Sequence, residues 1–378
     1  MNDAAPLLFF ASPLQDADLL YLSGFPAPDP FVFAVLPSGE RVLFASDLEF
    51  DRARKQSKAD QVVRFMEIQE RLKAQGARRT DALASAAAWM KEKGFRDLRV
   101  PPSFPMGAGR WLQQEGFGLE VLEKSPAPER RRKAAGEVEK VRRVQEATEE
   151  ATRKGIELIA AAKPGKDGTL YLEGEVLTSE RVKSEILKAL VERQCFGTGT
   201  IVAGGEQACD PHDEGSGPLK AGTFIILDVF PRSLENFYFA DMTRTVLKGK
   251  ASAEQKALFE AVREGQERGI SMLRPGAPVR EIHLSIKELF AGKGFPTGLI
   301  EGRMQGFFHG TGHGVGLEIH EAPRISDCEG TLEEGDLVTV EPGLYYRGLG
   351  GARLEDLLWI GPQGVEDLTT FPKILELD

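Results

Sequence analysis

The sequence predicts an α+β protein in two parts, a smaller N-terminal α/β domain followed by a larger C-terminal α+β domain. Three observations carry this reading. The chain has 378 residues, too many for one ordinary core. Its first third alternates strand-like and helix-like runs. The remainder sets two pairs of helix-period segments against short apolar runs bounded by Gly and Pro, which have the length and punctuation of strands.

The elements follow in order. Pro30–Leu36 and Arg41–Phe44, separated by a segment containing Gly39, read as a hairpin. Helical spacing runs from about 65 to 93 with a break near Gly76, and Leu98–Val100 reads as a further strand. This first domain, residues 1–128, contains no histidine and few candidate catalytic groups. Glu123–Glu129 is rich in turn formers, and the basic run Glu129–Lys133 is expected as a solvated linker over 129–134. In the second domain, 135–378, helices are expected at about 135–162, 178–193, 253–273 and 278–292. Strands are expected near 198–203, 222–230, 237–247, 307–319, 335–341 and 352–360. The order helix, helix, strands occurs twice, which hints at an internal duplication.

Composition narrows the function classes. The net charge of −10 and the absence of a basic stripe argue against nucleic acid and other anionic partners. No apolar run approaches the ~18 residues of a membrane span, and the opening MNDAAPLLFFASP lacks the basic start of a signal peptide. Cys195, Cys209 and Cys328 are too few for a disulfide framework and lack CxxC spacing, so they are expected as reduced thiols in a cytoplasmic protein.

The most informative residues lie in the last 150 or so positions. Asp228 (FIILDVF), Asp241 (FADMTRT), His313 (GTGHGVG), Glu341 (TVEPGLY) and Glu355 (ARLEDLL) each sit where a strand is expected. Thr223–Phe230 is nearly all apolar, so Asp228 is expected to be buried within it. A lone buried carboxylate costs several kcal/mol to keep ionised, so it must be neutral, paired or metal-bound. The same holds for Asp241 on a face with Phe237 and Phe239, for Glu341 in line with Leu337 and Thr339, and for Glu355 beside Arg353 and Leu357. One such acid is ordinarily a hydrogen-bonded structural residue. Four of them with a glycine-flanked histidine carry about four negative charges, which suits a pair of divalent cations.

The tract Phe308–Gly316 alternates glycine at every second position. It is not the G-x-G-x-x-G of a dinucleotide loop, and here the glycines are expected to let backbone pass close to a crowded cluster. His309, His313 and His320 fall within twelve residues, and His212 lies upstream. His313 is the best ligand among them. The others suit proton transfer or substrate contact, work matched to a pKa near neutrality.

At this point the residues match a known pattern. Pro211-His212, Asp228, Asp241-Met-Thr-Arg-Thr245, the His309–His320 tract, Glu341-Pro-Gly343 and Arg353-Leu-Glu-Asp356 resemble, in this order, the pita-bread metallopeptidases. That family includes methionine aminopeptidase, aminopeptidase P and prolidase. The likeness covers about 135–378, and Leu20–Gly24 looks like part of the smaller domain found in the proline-specific and creatinase-like branch. The resemblance implies a two-metal site in which Asp228 chelates one ion and His313 with Glu341 the other, while Asp241 and Glu355 bridge them. It implies Glu341 as proton acceptor, His212 and His320 as groups that contact substrate and stabilise the tetrahedral intermediate, and His309 and Arg353 as shapers of the substrate end. Arg353 is equally readable as a salt bridge to a ligand carboxylate.

Mn²⁺ is expected, with Co²⁺ or Zn²⁺ possible, and a homodimer is implied by resemblance alone. The substrate implied is a small peptide with proline after the scissile bond: an Xaa-Pro dipeptide (prolidase) first, longer Xaa-Pro-Yaa peptides (aminopeptidase P) second. A metal-free hydrolase or a non-catalytic binding module of the same fold predicts lost ligands, yet all five are present. Hydrolysis of a non-peptide amide by the same metal pair stays open. One departure concerns the loop after Asp228: Asp228 and Asp241 are 13 positions apart, two more than is usual in the family, and Asp228-Val-Phe-Pro-Arg-Ser233 replaces the usual D-x-G turn, so the loop is longer and carries a proline.

Overall fold

The structure is a computed structural model that describes residues 5–378, and the chain divides into two compact units that meet at Arg130 and Arg131. The first unit is built on a six-stranded mixed sheet. In sheet order its strands are Gln61–Arg64, Arg41–Ala45, Phe31–Val35, Leu7–Ala11, Asp97–Val100 and Gly118–Val121. Alternate residues face opposite sides, as the period of two requires. Leu8, Val32, Val42 and Phe44 pack with Leu83, Trp89 and Met90 on one face, while Phe9, Phe33 and Leu43 pack with Leu19, Leu22 and Phe25 on the other. The sheet is therefore covered on both sides. The expected hairpin appears as Phe31–Val35 and Arg41–Ala45, and the expected helical stretch as Phe65–Ala74 and Ala82–Glu92.

The second unit contains two helix pairs and two antiparallel sheets. Ala135–Ala161 packs against Ser179–Glu192, and Ala253–Met272 against Val279–Gly292. In the long first helix Val138, Val141, Val144, Ala147, Ala151 and Ile159 are buried at spacings of three, four or eight, the single stripe a helix needs. Two glycines set how closely the helices approach. A Cβ on Gly155 would stand 2.9 Å from Ile186, and one on Gly265 would stand 2.6 Å from Phe290. The first sheet orders Ile201–Gly204, Phe224–Val229 and Met242–Lys248, with Glu376–Leu377 parallel at its edge. The second orders Glu321–Ile325, Gly312–Gly314, Leu337–Val340, Asp356–Gly361 and Gly364–Asp367. A helix pair followed by an antiparallel sheet thus occurs twice, in the order the sequence suggested.

Two expectations are corrected. Only Asp228 and His313 lie inside strands; Asp241 precedes Met242–Lys248, Glu341 follows Leu337–Val340, and Glu355 falls between two strands. Gly350–Arg353 pairs with Gly343–Tyr346, whereas Asp356–Gly361 pairs with Leu337–Val340, so the chain changes sheets at Leu354–Glu355. Burial continues through the change, which is why the alternation read as one strand. Likewise Phe237 has φ of 66°, outside any strand.

The basic run is also not a solvated linker. Arg131 forms paired bonds of 2.7 and 2.8 Å to the fully buried Asp336, and Lys133, 3% exposed, pairs with Glu321. Charges this deeply placed need partners, and the sequence run gave no sign of partners 188 to 205 residues away.

Candidate metal centre

Each of the four acids and the one imidazole reaches the site from a different local structure. Asp228 is carried by the central strand of the first sheet, opposite Ile201 on one side and Thr243 on the other. Thr243 in turn holds Glu355: its backbone carbonyl accepts from the Glu355 N–H at 3.1 Å, and its hydroxyl donates to Glu355 Oε2 at 2.8 Å. Arg244, buried beside it, donates to the Glu355 carbonyl at 2.7 Å and to Asp356 at 2.8 Å, which fixes the backbone where it changes sheets. His313 sits at a register shift in the second sheet, a bulge of the kind that re-aims a side chain.

The glycines around His313 have the expected reason. A Cβ on Gly312 would stand 1.9 Å from the Thr339 carbonyl oxygen, and one on Gly314 2.3 Å from that of Ala322. Glu341 follows directly, with its N–H bonded to the Thr311 carbonyl at 2.7 Å.

These side chains converge. Asp241, His313 and Glu355 offer donor atoms that all lie within 4.8 Å of one another. His313 Nε2 is 3.5 Å from Glu341 Oε1 and 3.7 Å from Asp241 Oδ2. Its Nδ1 lies 3.2 Å from the Gly314 carbonyl, which can only accept, so Nδ1 carries the proton and Nε2 presents a lone pair to the carboxylates. A lone pair facing carboxylate oxygens is repulsive unless a cation stands between them. Three buried oxygens, Asp228 Oδ1, Asp241 Oδ1 and Glu355 Oε1, have no hydrogen-bond partner among the described residues. Buried acceptors are costly to leave unpaired. Oxygen donors with one imidazole are the set that suits a hard or borderline divalent cation, and these residues fit one.

The electrostatics agree. Burial raises the Asp241 carboxyl well above its ordinary range, and the charges of Glu355, Asp228 and Glu341 raise it further. Burial, then Glu341 and Asp228, does the same to Glu355. Glu341 is pushed up to about 8, mainly by burial. Burial also lowers His313 to about 4, so its imidazole is neutral, the form that binds metal. Without cations, the cluster is relieved by holding protons.

A cavity of about 640 Å³ opens over this cluster, and all nine residue positions singled out as functional line it. His212 and His320 are exposed on its wall, and the His320 ring meets that of His313 edge-on at 4.4 Å. His309 also lines it, but both ring nitrogens are occupied: Nδ1 donates to the Gly310 carbonyl at 2.8 Å, and Nε2 accepts from the Tyr345 hydroxyl at 2.9 Å. Burial holds this ring neutral, at about 3.

For Arg353 the structure contains the salt bridge to Asp228. The residue is 3% exposed; Nη2 bonds Asp228 Oδ2 at 2.6 Å and Nη1 bonds the Tyr345 hydroxyl at 2.9 Å. It lies behind Asp228 and still lines the cavity. The longer loop after Asp228 is ordered: Ser233 N–H bonds the Tyr238 carbonyl, and Phe239 N–H bonds the Gly316 carbonyl at 2.8 Å. It presents Phe230 to the cavity.

Sequence reasoning missed Tyr345, Thr243 and Arg324. Arg324 lines the cavity and has no hydrogen-bond or ion-pair partner among the described residues. Its strand Glu321–Ile325 carries no pattern that would have singled it out.

The description of metallopeptidase family M24 matches residues 139–362, more than half of the chain. The chain belongs to metallopeptidase family M24. Its M24 relatives include the Xaa-Pro dipeptidase of Pyrococcus furiosus, 28% identical over 96% of this chain and 92% of that one. They also include Xaa-Pro aminopeptidase 1 of Streptomyces coelicolor, 35% identical over 54% of this chain and 47% of that protein. Among solved structures, the prolidase from Pyrococcus furiosus superposes with a TM-score of 0.78 at 26% identity, covering 98% of both chains. The X-Pro aminopeptidase from Thermotoga maritima gives 0.81 at 23% identity over 99% of this chain and 97% of that one, a likeness of fold. The pita-bread architecture and the peptidase class follow, and a M24 peptidase is a metal-dependent hydrolase. Both proline-specific subtypes stand among these M24 proteins.

Proposed function

We propose that this M24 peptidase is a dinuclear Xaa-Pro dipeptidase, a prolidase. The observation that carries the dipeptidase assignment is Arg324, a cation without a hydrogen-bond or ion-pair partner among the described residues, on the wall of the cavity that the carboxylates and imidazoles line. A dipeptide bound with its scissile bond over the cluster brings its own C-terminal carboxylate into that cavity, and a guanidinium is the group that recognises it bidentately. Similarity over nearly the whole chain to the Xaa-Pro dipeptidase of Pyrococcus furiosus supports the same substrate class.

Asp228, Asp241, His313, Glu341 and Glu355 would hold two ions per chain, and four oxygen donors with one imidazole favour Mn²⁺ over softer metals. When bound, the cations supply Lewis acidity at the scissile carbonyl and lower the pKa of water. The protein's own groups do the rest. Glu341, on the cavity wall beside His313, takes the proton released by the attacking water and passes it on. His212 and His320 orient the substrate and donate to the oxygen that gains charge in the transition state. Arg353 keeps Asp228 aimed, and His309 shapes the wall with Tyr345. Three free cysteines support a reducing, cytoplasmic setting, and the resemblance to the family supports a homodimer.

The test compares Leu-Pro with Leu-Ala, each with and without EDTA, in the native chain and in Arg324→Gln. Metal-dependent cleavage of Leu-Pro alone is expected. The variant should raise KM for Leu-Pro roughly 10- to 100-fold, the worth of a charged hydrogen bond. Equal cleavage of Leu-Ala, or an unchanged KM in the variant, would remove the reading.

A further inference from the structure

His320 stands on the cavity wall at the end of an irregular turn, residues 316–320, and the strand Glu321–Ile325 begins only at the next residue. An exposed imidazole on such a turn gains no fixed direction from a sheet ladder, so side chains must hold it. The turn is closed by one carboxylate. Glu321 Oε1 accepts from the Lys133 ammonium, and Glu321 Oε2 accepts from the Glu318 N–H at 3.4 Å. A Cβ on Gly316 would stand 2.5 Å from Glu321 Oε1, so both ends of the turn meet this side chain. The Gly316 N–H donates to the Glu318 carbonyl at 3.0 Å and tightens the turn further.

The pair beneath the turn is costly to bury. The side chain of Lys133 is 1% exposed and that of Glu321 7%. Two buried charges rarely stabilise a protein more than an apolar pair of the same shape would, so what this pair supplies is geometry. Lys133 is itself fixed: its N–H donates to the Gly335 carbonyl at 2.7 Å, and its ammonium also donates to the Arg131 carbonyl at 3.2 Å.

A second path reaches the other end of the turn. In the first turn of the helix Ala135–Ala161, Glu137 Oε2 accepts from the Ala134 N–H at 3.0 Å, and Glu137 Oε1 accepts from the Tyr238 hydroxyl at 2.5 Å. The next residue, Phe239, donates its N–H to the Gly316 carbonyl at 2.8 Å. Lys133, Glu321, the turn, the loop after Asp228 and the start of the helix thus form a closed ring of contacts. His320 stands on the part of that ring that lines the cavity, with its ring 4.4 Å from that of His313.

We propose that Lys133 and Glu321 are a positioning pair for the reaction: their contact sets the direction of the His320 imidazole, although neither lines the cavity. This rests on the role given to His320 above.

The experiment measures Leu-Pro hydrolysis and bound Mn²⁺ in the native protein, Lys133→Met/Glu321→Gln, His320→Asn and the triple variant. Removing one charge alone would strand the other, so both are removed together in side chains of similar length. Gly316→Ala, alone and with His320→Asn, is a second route that crowds the carboxylate without removing a charge. Either route should lower kcat roughly tenfold, within the reach of a sub-ångström misplacement. KM should stay within about twofold, as for a contact made only in the transition state, and the metal should remain bound. On the His320→Asn background neither route should lower kcat further, because an absent imidazole cannot be misdirected. A pair that merely supports the fold would cost the same factor with or without His320. Such additivity, an unchanged kcat by both routes, or a loss of metal in step with kcat would overturn the positioning pair and leave the role of His320 standing. Native kcat in His320→Asn would overturn that role and the inference with it.

Discussion

Arg353 shows how a proposed metal ligand, Asp228, is held in place by a neighbouring guanidinium. Its guanidinium takes one oxygen of Asp228 at 2.6 Å and leaves the other, Oδ1, without a partner and free to bind a cation. Such supporting contacts typically govern metal affinity 10- to 100-fold. Arg353→Gln should weaken Mn²⁺ binding by about that factor in a metal-buffered titration, and unchanged affinity would remove the positioning role. His212 sits on the wall and outside the ligand cluster, so His212→Ala should keep bound metal while kcat falls roughly 10²-fold; metal analysis beside steady-state kinetics separates the two. The ligands were legible because ionisable residues interrupt apolar runs, which is costly unless something binds them. Arg324 was not legible, because its significance lies in lacking a partner, and only the fold reveals that.

At the scale of elements, the helices of the second unit were read within about two residues, since a buried stripe at helical spacing has few alternative explanations. The strands were read less well. Alternation persists where the chain leaves one sheet for another at Leu354–Glu355, so the ligands seemed to lie within strands when most occupy strand ends. The glycine tract was understood from sequence, and it makes a sharp prediction. Gly312→Ala would drive a Cβ into the Thr339 carbonyl, a rigid backbone atom, and should cost ~3 kcal/mol or more. Gly136→Ala, in a helix with nothing within 4 Å, should instead gain about 0.5–1 kcal/mol. Denaturant titrations of the pair test this, and equal effects would contradict the packing account. The Arg131–Asp336 pair was invisible in the sequence because its partners are 205 residues apart. Arg131→Ala leaves the buried Asp336 without its cation and should destabilise by on the order of 3 kcal/mol, read in the same titrations.

For the molecule as a whole, the metal cluster couples folding to pH and to cations. Burial holds Glu341 at about 8 and raises Asp241 and Glu355, whereas in the unfolded chain such acids lose their protons near 4. Between those limits the folded chain binds more protons than the unfolded one. Metal-free protein should therefore lose stability as pH rises from about 4.5 to about 8. Bound cations take the place of those protons, so the gain in Tm on adding Mn²⁺ should be larger at pH 8 than at pH 5.5. An equal gain at both would show that the cluster is not where the metal binds. The most direct measurement titrates Mn²⁺ into chelator-stripped protein while following Leu-Pro hydrolysis against ions bound per chain. The account predicts no hydrolysis in stripped protein and a rate that climbs until a second ion is bound. Full hydrolysis by the stripped protein, or two bound ions with no cleavage of Leu-Pro, would contradict it.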